Sequence, residues 1–106
     1  SPSIKIIESI YNLDAKITIH DPIALENFKK TVGDNFPNII STLKWKNCID
    51  QNEIIIIATN WNEYRELSEL DVSTKLIFDC KSLFNPDEIK CSQYLTFGYN
   101  FDSKPI

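Results

Sequence analysis

Three short stretches carry side chains able to do chemistry: His20-Asp21-Pro22, Thr59-Asn60-Trp61 and Asp79-Cys80-Lys81. Each follows a segment that reads as a strand. Lys81 places an ammonium just past a buried strand, where it can meet a phosphate; the alternative is a solvated loop lysine. Asp79 either orients Lys81 or caps nearby backbone amides. Trp61 either stacks on a base or plugs the corner between strand and helix. Asp21 either accepts from a ribose hydroxyl or caps a helix. His20 has the chemistry of a general base, but no nucleophile is evident beside it. Cys80, next to the Lys81 charge, is expected to have a lowered thiol pKa. No acid or base partner can be named for it, so it receives no catalytic role.

Composition narrows the chemistry further. The chain has 106 residues, enough for one domain, and 42% of them are hydrophobic. Its two glycines, Gly33 and Gly98, cannot supply a G-x-G-x-x-G dinucleotide loop or a Walker A loop. Any nucleotide must be held by side chains instead. A single histidine excludes metal sites built on His pairs. Cys48, Cys80 and Cys91 contain no C-x-x-C, so zinc-finger and redox motifs are not expected. Reduced thiols in a cytoplasmic protein are the simplest reading. The net charge of −4 gives no basic field for nucleic acid, and no apolar run approaches a membrane span. The chain opens Ser1-Pro2 and has no Met, so a processed or excised piece of something longer is expected.

The elements that must position these residues follow from periodicity. Ser1 as N-cap, Pro2, and apolar Ile4, Ile7, Ile10 and Tyr11 on one face predict a first helix, ending near Asn12 to Asp14. Lys16 to His20 reads as a short strand, and Asp21-Pro22 opens a second helix to about Thr31. Ile39 to Trp45 fits a short edge strand, and Cys48 to Asn52 a helical turn. Glu53 to Thr59 contains four consecutive isoleucines, the pattern of a central parallel strand buried on both faces. A helix over about Asn62 to Leu70, a strand over Lys75 to Asp79, a turn or helix at Asn85 to Glu88, and a strand over Gln93 to Phe97 complete the order. Such alternation predicts an α/β fold: a three-layer, doubly wound, mostly parallel, Rossmann-like sheet. The chain starts with a helix, so the first strand is expected to be missing. In such sheets ligands bind beyond the carboxyl ends of the strands, where the three stretches above lie.

Taken in order, these segments resemble the C-terminal, UDP-binding domain of the UDP-glucose/GDP-mannose dehydrogenase family. Ser1 to Ile7 is similar to its S-P helix start. Lys16-Ile17-Thr18-Ile19-His20-Asp21-Pro22 is similar to its strand ending in D-P. Ile54 to Tyr64, with Thr59-Asn60-Trp61-Asn62-Glu63-Tyr64, is similar to its T-E-W-x-E-F segment. Leu76 to Ser82 is similar to its D-G-R-N segment, and Tyr94 to Gly98 to its closing Y-x-x-i-G. The chain departs from the pattern at Asn60, where the family has Glu, at Cys80-Lys81-Ser82, where it has Gly-Arg-Asn, and at Tyr99, where it has a basic residue.

The resemblance implies a UDP-binding domain over residues 1–99, with 100–106 as a tail. It carries the family's nucleotide-holding Arg position over to Lys81, with Asp79 and Trp61 as the other candidate UDP-binding residues. Lysine keeps the charge but lacks the planar two-pronged donor. The resemblance further implies a longer parent that oxidises C6 of a nucleotide sugar with NAD as cofactor and a catalytic cysteine. Both the NAD site and that cysteine lie in other domains. This chain alone is therefore expected to have no cofactor, no metal and no catalysis. Its expected partners are a UDP-sugar, the remaining domains, and a second copy of the chain, with no nucleic acid or membrane. The alternative is a non-catalytic oligomerisation or interaction module of the same fold.

Overall fold

The computed structural model describes residues 2–11, 13, 16–21, 39–97 and 99–102. They fall into two compact units, Ser1–Cys48 and Ile49–Ile106. In the first unit, α1 (Pro2–Tyr11) forms where the apolar spacing predicts it. Ile7 is buried while Lys5, Glu8 and Ser9 face out, so one face carries the packing. Strand β1 (Thr18–Ile19) pairs in parallel with β2 (Ile40–Ser41). Both are shorter than the sequence suggests. A 3-10 helix then runs over Trp45–Cys48, starting earlier than the expected turn. The predicted helix after Asp21-Pro22 and the Gly33 stop lie outside the described residues.

The second unit is a four-stranded sheet in the order β3-β4-β5-β6. Its members are β3 (Ile54–Ile57), β4 (Val72–Asp79), β5 (Cys91–Thr96) and β6 (Tyr99–Asp102). The first three are parallel and β6 returns antiparallel. The α/β, mostly parallel architecture is the one the alternation predicts, divided between two hydrogen-bonded sheets. β6 was not expected: the sequence places the last strand over Gln93 to Phe97 and reads 100–106 as a tail, yet Tyr99–Asp102 pairs along β5. No described helix is long and apolar enough to cross a membrane.

Alternation along β4 explains the core. Lys75, Ile77 and Asp79 are buried on one face, and Leu76 and Phe78 are half-buried on the other. Ile57, Leu67, Leu83, Phe84, Ile89 and Tyr94 are buried with Ile77 in this unit. The Lys75 ammonium is satisfied by the Asp50 carbonyl at 3.1 Å, which ties the turn before β3 to β4.

Two expectations are corrected here. The four isoleucines are not buried on both faces: among the described residues β3 is the outer strand of its sheet, and Ile54 is 58% exposed. A continuous apolar run states affinity for a core but not the strand's place in the sheet. The segment after Trp61 is helical as expected, but as a 3-10 helix over Asn62–Glu69. Trp61 offers no side-chain cap to its first turn, and Leu67 is its one buried residue.

Candidate functional site

Parallel pairing brings the ends of β3, β4 and β5 to one edge. Ile57 is in register with Asp79, and Asp79 with Thr96. The Cys80 amide continues the ladder by donating to the Ile57 carbonyl at 2.9 Å. The chain leaving β3 carries Trp61, and the chain leaving β4 carries Lys81, so their loops depart from neighbouring strands on the same side.

Asp79 organises the second of these loops. Its side chain is fully buried, at 0% exposure. The Lys81 amide donates to Oδ1 at 3.2 Å, the Phe84 amide to Oδ2 at 3.0 Å, and the Tyr94 hydroxyl to Oδ2 at 2.5 Å. A buried carboxylate is tolerable only with such donors. The Tyr94 Oη also lies 3.0 Å from the Phe84 carbonyl. Burial, then the hydrogen bond to Asp79 and its charge, push the Tyr94 phenol well above its ordinary range. The segment 80–84 is thus closed around one carboxylate. Of the two readings of Asp79 above, backbone capping is what its geometry displays, and the Lys81 main chain is among the groups it caps.

Above that anchor, Lys81 is exposed. Ser82 has a φ of 50°, the one non-glycine residue with positive φ among those described. For a serine this left-handed backbone costs about 1–2 kcal/mol. Its hydroxyl lies 3.0 Å from the Thr96 hydroxyl on β5. Cys80 is half-buried, and the expectation of a lowered thiol pKa is corrected. Burial and then the Asp79 charge push it up, against a smaller opposing pull from Lys81. Sequence adjacency displayed both neighbouring charges, but not the burial that outweighs them.

Trp61 is half-buried, and its carbonyl accepts from the Tyr64 amide at 3.0 Å as the 3-10 helix begins. Its ring meets Tyr64 edge to face, with centroids 5.6 Å apart. Arg65 on the same helix reaches across to the Lys81 loop and its continuation. It donates to the Leu83 carbonyl at 2.6 Å and to Glu88 at 2.8 Å, and it lies over the Phe84 ring at 5.8 Å. A capping box between Asn85 and Glu88 completes the brace: Glu88 accepts from the Asn85 amide at 2.8 Å.

The structure therefore brings Asp79 and Lys81 together and sets the Trp61 loop on the adjacent strand. His20 and Asp21 follow β1 in the first unit, both half-buried and both engaged with other groups. Sequence reasoning missed Tyr94, Ser82, Thr96 and Arg65. The Asn85-Pro86-Asp87-Glu88 spacing was a legible capping box, and Arg65 is the chain's single arginine. Tyr94 opens the Y-x-x-i-G segment, but its role toward Asp79 depends on strand register.

Comparison with known proteins now bears on this arrangement. The family model described as "UDP-glucose/GDP-mannose dehydrogenase family, UDP binding domain" matches residues 1–86. A UDP-glucose 6-dehydrogenase of Rickettsia typhi is 31% identical over 94 residues, covering 85% of this chain and 21% of that protein. One of Rickettsia bellii is 30% identical over 105 residues, covering 92% of this chain and 24% of that protein. UDP-glucose 6-dehydrogenase TuaD of Bacillus subtilis is 24% identical over 99 residues, covering 90% and 21% respectively. The chain thus spans between a fifth and a quarter of the length of these relatives. No solved structure matches it. With an α/β sheet whose strand ends carry the matching segments, and a family match over most of its length, the chain belongs to the UDP-glucose/GDP-mannose dehydrogenase family, as its UDP binding domain.

Proposed function

We infer that this chain holds the nucleotide half of a UDP-sugar for an NAD-dependent UDP-glucose 6-dehydrogenase, or a dehydrogenase of a related nucleotide sugar, and does not catalyse alone. The observation that carries this reading is the Asp79-anchored loop. It presents Lys81 at the carboxyl edge of three parallel strands, beside the loop that bears Trp61. In this reading Lys81 meets a diphosphate oxygen, Trp61 offers a flat face to the base, and Asp79 acts through the loop it pins.

NAD does not fit the residues described. The turn after β3 is Ala58-Thr59-Asn60-Trp61, and every residue of it carries a Cβ where a dinucleotide pyrophosphate needs glycine. Nor is Cys80 suited as a nucleophile, since burial disfavours its thiolate. Both observations support a division of labour in which hydride acceptor and nucleophile come from elsewhere in a longer protein.

Calorimetric titration of the chain with UDP and UDP-glucose tests the reading. Wild type should bind both, and Lys81→Ala should bind about tenfold or more weakly, the weight of a charge-assisted hydrogen bond to phosphate. Absence of binding at millimolar UDP, or binding indifferent to Lys81, overturns it in favour of an interaction module.

A further inference from the structure

We propose that the hydroxyls of Ser82 and Thr96 form a second, directional anchor for the same diphosphate, and that the left-handed backbone of Ser82 is retained for it. The proposal rests on the reading of Lys81 above and names what that reading leaves out. An ammonium is a compact point charge that attracts a phosphate without orienting it. The hydroxyl pair supplies orientation. Ser82 follows Lys81 directly, and the Lys81 amide is pinned to Asp79, so cation and hydroxyl start from one fixed point. Thr96 is in register with Asp79 on the neighbouring strand. The two oxygens are 3.0 Å apart, and their mutual bond uses one of their two protons. The other proton is left to donate to a third oxygen at the same edge, where a nucleotide's phosphates would approach Lys81.

The backbone makes the same point independently. At a φ of 50° glycine sits without penalty, and serine does not. Ser82 is exposed, so its side chain contributes no burial that would offset the penalty. What serine adds there is the hydroxyl. Strain held beside a ligand-facing cation, in a loop over-determined by the Asp79 hydrogen bonds, is the pattern of a binding site rather than of a connector.

The test compares wild type, Ser82→Gly, Thr96→Val and Lys81→Ala, each titrated with UDP and with inorganic pyrophosphate and each unfolded in urea. Ser82→Gly should bind both probes about fivefold to tenfold more weakly while its unfolding midpoint stays or rises. Thr96→Val, which keeps the shape of the side chain, should lose affinity to a similar extent. If both variants bind as wild type does while Lys81→Ala is weakened, the hydroxyl anchor is wrong and the Lys81 reading stands. If midpoint and affinity fall together in both variants, the pair is a loop staple and the proposal is overturned. A wild-type chain that binds neither probe overturns both readings.

Discussion

At the scale of single residues, the site depends on a buried carboxylate whose donors come from two elements. Tyr94 is the donor that sequence did not expose. Removing its hydroxyl leaves Asp79 buried with one partner fewer, so Tyr94→Phe should destabilise the chain by about 1–3 kcal/mol in urea unfolding. The same variant should weaken UDP binding, because the Lys81 loop closes on that carboxylate. An unchanged unfolding midpoint would show that the short hydrogen bond carries no weight. Lys81 invites the opposite experiment. Lys81→Arg introduces a planar fork able to grip two phosphate oxygens, and UDP affinity should rise several-fold by calorimetry. The position of Lys81 was legible because it follows an apolar strand. The role of Asp79 was legible only as a pair of alternatives, since choosing between them required knowing which amides curl back to it.

At the scale of elements, β4 is the organising strand. It pairs on both sides, and Ile77 at its centre is fully buried. Ile77→Ala should cost about 2–5 kcal/mol, the range for truncating a core aliphatic, and should read out as a lower denaturation midpoint. Ile54→Ala on β3 should cost far less, because that side chain is 58% exposed. If the two substitutions cost the same, the edge position of β3 is wrong. This contrast is where sequence pattern and structure diverge most. Both strands are apolar runs with high β propensity, and propensity does not say which strand stands at the edge. Along β4, Lys75 and Asp79 are buried on the face of Ile77, although their polarity alone assigns them to solvent.

At the scale of the whole molecule, weakened acidities predict an alkaline limit to stability. The folded-state pKa of Tyr94 lies above the unfolded value of about 10. The folded chain therefore retains a proton that the unfolded chain releases. The contribution is present in full below about pH 10 and is lost as pH rises toward the folded value, by up to about 1.4 kcal/mol per pH unit. The half-buried thiols of Cys80 and Cys91 are shifted in the same sense, so their share also falls as pH rises above the ordinary thiol range. Urea midpoints measured across this range should decline, and Tyr94→Phe should flatten the part above pH 10. A flat wild-type profile would contradict the burial of Tyr94. The same burial of Cys80 predicts slow iodoacetamide labelling at neutral pH relative to an exposed peptide thiol.

The order of the described elements as far as β5, the parallel α/β class and the strand-end address of Lys81 were determined by sequence alone, because each is written in local periodicity and in a few adjacent residues. Family membership was visible in the same way, as short motifs in order. Tertiary structure decided what those residues do to one another. Register sets Thr96 beside Asp79, and a single loop turn sets Ser82 beside Thr96. Arg65 and Tyr94 reach the same loop from 10 or more residues away in the chain. Such contacts depend on how strands align and how far a side chain is taken out of water. Neither quantity is local, so neither can be read from spacing.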